Sequence, residues 1–139
     1  MSVFDCAVAK EAWTHEIAMR NGMSGKTAQP ADQRDSGRWE PAVREIISYL
    51  DLGENWDGYG AEPPSREVLE SAIGLAYCYH DDGVDPPHRV APGVAGSVIF
   101  EWQDPNGTYT TVEIDAPLHA EVMMIEPGKP AQQWTLPTQ

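Results

Sequence analysis

The chain of 139 residues is about one domain long and carries 22 Asp and Glu against 9 Lys and Arg, a formal net charge of −13. Its 41% hydrophobic content excludes a wholly disordered chain, and no apolar run approaches the roughly 20 residues that span a bilayer. A surface of this sign lacks the basic footprint of a nucleic-acid binder, so neither direct DNA or RNA binding nor a membrane partner is expected.

The start, Met1-Ser2-Val3-Phe4-Asp5, has neither the basic nor the apolar region of a signal peptide. Cys6 and Cys78 stand apart with no CxxC spacing, which argues against a disulfide scaffold or zinc site and predicts reduced thiols in the cytoplasm. The charge is uneven. Residues 1–50 hold 7 acids and 6 bases, whereas residues 51–139 hold 15 acids and 3 bases. Such a field steers a basic partner toward the second part of the chain.

Ser2 and Asp5 suit a helix start, and Cys6, Ala9, Trp13 and Ile17 recur at helical spacing until Asn21-Gly22, so residues 1–21 read as an N-terminal helix. Residues 22–38 are rich in Gly, Ser, Gln and Asp without periodicity and read as a linker. The stretch Gly22-Met23-Ser24-Gly25-Lys26-Thr27 echoes a phosphate-binding loop, but Arg20 occupies the position of the first glycine and the string follows a helix.

A single α+β domain is predicted over residues 39–126. Pro41 opens a second helix with the stripe Val43, Ile46, Ile47 and Leu50. After a loop from Glu54 to Pro64, Ser65 caps a third helix that runs to about His80 and stops at Asp81-Asp82-Gly83. Prolines 86, 87 and 92 make residues 83–96 an extended crossing, with His88-Arg89-Val90 a short edge strand.

The period then changes from 3.6 to 2. Val98, Phe100 and Trp102 alternate within Ser97–Gln103, and Thr110, Val112 and Ile114 within Thr108–Asp115. Asp104-Pro105-Asn106-Gly107 between them is hairpin chemistry. A third strand, His119 to Ile125, follows the Ala116-Pro117 corner, and residues 127–139 read as a tail carrying Trp134. The fold expected is two or three helices followed by an antiparallel meander of three to four strands, packed by helix on one face.

Glu101, Glu113 and Glu121 lie out of phase with the apolar residues of their strands, which predicts an acidic outer face for a basic protein partner, with Trp13 and Trp134 as aromatic anchors. Open sheet edges also allow a homo-oligomer. Asn55-Trp56-Asp57-Gly58-Tyr59-Gly60 is read as a structural turn held between two helices by Trp56 and Tyr59. A calcium loop starting at Asn55 fails, because its twelfth position is Arg66.

His15, His80, His88 and His119 are scattered without metal-ligand spacing, Cys78 reads as a packed thiol, and no nucleophile elbow is present, so neither catalytic residues, metal nor cofactor is predicted. The heptapeptide from Asn55 to Ala61 and its surroundings over residues 43–115 resemble a family of small uncharacterised bacterial proteins built around a Trp-Asp-Gly-Tyr-Gly-Ala core, residues 56–61 here. That resemblance implies the helix-then-hairpin order and a bacterial setting, and carries no activity.

The expectation is a non-enzymatic acidic interaction module, acting as an inhibitor, antitoxin or accessory subunit in a bacterial operon or mobile-element system. Two alternatives stand beside it. One is a small hydrolase or metal-dependent enzyme using Asp57 with His80 and Asp81 or Asp82; the other is a nucleic-acid mimic.

Overall fold

A computed structural model describes residues 38–136. The predicted helix over 1–21, with Trp13, and the linker up to residue 37 lie outside the described residues. Helix α1 spans Glu40–Ser48, with Pro41 in its first turn, and tightens into a 3₁₀ turn over Tyr49–Asp51. Its buried stripe is Trp39, Ala42, Ile46 and Tyr49, one residue round from the predicted one. Ile47 and Leu50 are exposed. Two large aromatics flanking the helix outweigh two aliphatic residues in deciding which side faces the core.

Helix α2 spans Arg66–Asp81. The Ser65 hydroxyl accepts from the Val68 amide at 3.1 Å, Glu67 complements the positive end of the helix dipole, and the chain leaves through Gly83 at φ +81°. Cys78, on its buried side, is disulfide-bonded. This corrects the expected packed free thiol and removes the argument for a reducing compartment that rested on it.

Five strands follow: β1 (Arg89–Pro92), β2 (Val98–Gln103), β3 (Tyr109–Ala116), β4 (His119–Ile125) and β5 (Gln132–Leu136). Each pairs antiparallel with the next, so spatial order equals chain order. The expected three to four strands become five because part of the predicted tail is β5. Pro127 and Gly128 lie in a tight turn closed by the Lys129 amide on the Glu126 carbonyl at 3.1 Å, which folds Gln132–Leu136 back against β4. Two glutamines open that strand, and this obscures its alternation in the sequence. The β2–β3 turn closes with the Gly107 amide on the Asp104 carbonyl and Gly107 at φ +93°.

The helices cover one face of the sheet, α2 packing on β2 and β3 and α1 against β1 and α2. The core there is Val98, Phe100, Trp102, Val112, Ile114, Val122 and Met124 from the strands, with Ile46, Leu75 and Tyr79 from the helices. Trp39, Tyr79, Phe100 and Trp102 form a ring cluster with centroids 6.0–6.3 Å apart, mostly edge to face. Both indoles also reach the crossing segment, Trp39 Nε1 donating to the Val84 carbonyl at 2.8 Å and Trp102 Nε1 to the Asp85 carbonyl at 2.9 Å.

Among the described residues no helix is long and apolar enough to cross a membrane. Truncating the central ring tests the packing: Trp39→Ala is expected to lower unfolding stability by about 3–5 kcal/mol. Trp39→Phe keeps a ring but leaves the Val84 carbonyl without its donor, a loss of about 1–2 kcal/mol. Urea denaturation of the full chain measures both.

Candidate functional site

Alternation along the strands divides the sheet. Ile99, Glu101, Gln103, Tyr109, Thr111, Glu113, Asp115, Glu121, Met123 and Ile125 lie out of phase with the buried positions, on the face away from the helices. Register makes rows of them. Glu113 sits between Ile99 and Glu121, and Thr111 between Glu101 and Met123.

The three glutamates predicted for this face therefore share it, but they are not equivalent. Glu101 accepts from Arg89 Nη1 at 3.1 Å and from the Tyr109 hydroxyl at 2.9 Å, and its side chain is only 19% exposed. Its charge is answered inside the sheet. Burial, then the bond to Glu101, holds the Tyr109 phenol above its usual pKa and keeps it a neutral donor. Glu113 and Glu121, directly opposite each other on β3 and β4, are exposed.

Trp134 is not an exposed tail anchor: it lies in β5, pairs with Val122 and packs against the core.

A short connection brings two further groups to the glutamate pair. Leu118 adopts φ +57°, and its amide is taken by the Ser71 hydroxyl of α2 at 2.9 Å. With a register shift between Ile114 and Ala116, the chain turns so that Asp115 Oδ1 meets His119 Nδ1 at 2.5 Å. Ligand atoms of Asp115, His119 and Glu121 all lie within 4.8 Å of one another, the one such group among the described residues.

An imidazole and two carboxylates are donors a borderline divalent cation accepts. His119 Nδ1 is already held by Asp115, however, and all three side chains face solvent, so the geometry is that of a surface ion pair with a second acid beside it. The group does not match the helical histidine spacing by which a metal site is recognised in a sequence. The available signal was the two-residue corner between strands, which folds position 115 onto 119.

The loop from Asn55 to Ala61 is closed by its own polar atoms. The Asn55 amide donates to the Ala61 carbonyl at 2.7 Å, and the Gly58 amide to the Asn55 carbonyl at 3.1 Å. Asn55 Oδ1 accepts from the Gly60 amide at 2.6 Å, and Asp57 Oδ1 accepts from the amides of Tyr59 at 2.8 Å and Ala61 at 3.1 Å. Asn55 at φ +61°, with Gly58 and Gly60 also at positive φ, gives the backbone its path.

Trp56 helps to hold the loop, its Nε1 donating to the Glu62 carbonyl at 3.0 Å. Tyr59 does not: it is 93% exposed. The expected pinning by two aromatics is thus done by one aromatic and two polar side chains.

Asp57 works as an acceptor for its own loop, while His80 Nδ1 lies 3.2 Å from Asp81 Oδ1 on α2. Among the described residues, Asp57, His80, Asp81 and Asp82 form no metal-ligand group. Comparison with known proteins finds no matching family model, no similar curated protein and no similar solved structure.

Two measurements check these assignments. Asp57→Ala strips the acceptor from two amides and should lower stability by about 1–2 kcal/mol, whereas Asp57→Asn, which keeps an Oδ1 acceptor, should stay close to the parent in thermal unfolding. The hydrogen bond that His119 donates to Asp115, opposed by desolvation and assisted by the charges of Asp115 and Glu121, raises the His119 pKa above 6.5. Its contribution to stability is accordingly full below the unfolded pKa near 6.5 and disappears as pH rises through the higher folded value. An NMR titration of the imidazole should show a midpoint above 6.5 that falls back toward it in Asp115→Asn.

Proposed function

We propose that the protein is a non-enzymatic interaction module whose open sheet face receives a basic segment of another protein. The observation that carries this reading is the shared exposure of Glu113, Asp115 and Glu121 on neighbouring strands, beside Thr111, Met123 and Ile125 on the same face. Apolar surface for contact and unanswered acid for orientation are the two ingredients of a charge-selected interface.

Charge selects the occupant. Residues 38–136 hold 17 acids and 5 bases, so a second copy brings more of the same sign. Residues 1–37, with 5 acids and 4 bases, offer no cationic surplus. A basic partner is attracted over the full surface and meets Glu113 and Glu121 side by side on β3 and β4. The role we assign is that of an inhibitor, antitoxin or accessory subunit in a bacterial system, none of which needs a catalytic group. The setting rests on the Trp-Asp-Gly-Tyr-Gly-Ala resemblance of residues 56–61.

The test is a titration of the isotopically labelled full chain with a short peptide alternating lysine and leucine. Amides of Glu113, Glu121 and Met123 are expected to shift, and Glu113→Lys with Glu121→Lys should weaken binding roughly tenfold at low salt, less at high salt. Equal binding by the double variant overturns the reading.

A further inference from the structure

The Asn55–Ala61 loop combines two properties that an ordinary connection does not need together. Its backbone is locked by five hydrogen bonds among its own residues, two of them accepted by Asp57 and one by the Asn55 side chain. Yet its largest outward side chain, Tyr59, packs on nothing and is the most exposed large hydrophobic residue among those described. An aromatic carried on a locked backbone spares the backbone part of the ordering cost when a partner covers it, which suits an interface anchor.

The surroundings point to what would cover it. From residue 45 to residue 65 there are five acids, Glu45, Asp51, Glu54, Asp57 and Glu62, and no lysine or arginine. Glu54 and Glu62 flank the loop and are exposed. An exposed tyrosine on a loop flanked in sequence by exposed carboxylates suits a guanidinium group, which stacks on a ring face and whose charge the acids attract.

The loop also stands at a definite place on the domain. The Glu62 amide donates to the Val94 carbonyl at 2.9 Å and Glu62 bridges to Ala95, which ties the loop to the β1–β2 turn, where Val94 is exposed as well. Register puts that turn at the same end of the sheet as the β3–β4 corner, since Val98 pairs with Ile114 and Ala116 with His119.

We infer that the Asn55–Ala61 loop is a preorganised recognition loop that presents Tyr59 to an arginine side chain of a basic protein partner. The inference rests on the reading that the partner is basic, but it uses different residues from the sheet face, so each can fail alone.

The experiment titrates the labelled full chain with a short peptide alternating arginine and glycine, and in parallel with its lysine and glutamate counterparts. Expected are shifts at residues 54–62 with the arginine peptide, smaller ones with lysine and none with glutamate. Tyr59→Ala should weaken binding roughly three- to tenfold with an unchanged thermal midpoint, while Tyr59→Phe should bind like the parent.

Arginine-peptide shifts confined to β3 and β4, with Tyr59→Ala binding normally, overturn the loop and leave the sheet reading standing. Shifts at residues 54–62 that survive Glu113→Lys with Glu121→Lys support the loop independently of the sheet. Self-association of the chain, lost in Tyr59→Ala during sedimentation, would overturn the inference by making the occupant a second copy.

Discussion

The fold depends on one cluster of four rings. Trp39 stands at the threshold of α1, Tyr79 near the end of α2, and Phe100 and Trp102 on β2, so their mutual contacts join both helices to the sheet. The two indole N–H groups extend the same cluster to the crossing segment, whose carbonyls at 84 and 85 would otherwise compete for water. A proline-rich connection has few backbone donors of its own, and here tryptophans supply what a regular strand would have supplied. Apolar burial and polar satisfaction of the segment are provided by the same side chains.

Fixing the helices on that face decides what the opposite face can be. Since strand side chains alternate, every ring and branched residue committed to the core commits its neighbour to the other side, and those neighbours include Glu113, Asp115 and Glu121. The outer face is not uniformly polar. Arg89 and Tyr109 answer Glu101, while the Glu113–Glu121 row has only His119 near its end. Acid on this face is thus answered unevenly, Glu101 by Arg89 and Tyr109, Asp115 by His119, and the Glu113–Glu121 pair least.

Much of the fold was legible because it is written in local signals. The Asp104–Gly107 turn, the alternation of β2 and β3, and the Ser65 cap each depend on a few adjacent residues, and each stands where the sequence puts it. What escaped depends on distant partners. The buried side of α1 is chosen by Trp39 and Tyr49, outside the helical stripe that periodicity singles out, and β5 is a strand because β4 is available to it. The same holds for the site: alternation identifies Glu101, Glu113 and Glu121 as outward, but only pairing reveals that Arg89 answers the first of them.

Topology then draws the two unusual surfaces together. A meander places alternate turns at one end, and the parallel bridge from Glu62 to Ala95 brings the Asn55–Ala61 loop to the end that carries the β3–β4 corner. The β1–β2 turn that receives the loop is tight, its Gly93 lying where a Cβ would come within 2.0 Å of the Ser97 hydroxyl oxygen. The loop is therefore fixed at both levels, by its own hydrogen bonds and by the tie of Glu62 to Val94 and Ala95 of that turn. In recognition the two surfaces would divide the work by their physics. An open acidic corner would act at long range and govern how fast a basic partner arrived. A locked loop with one bare aromatic would act only on contact and govern how slowly that partner left.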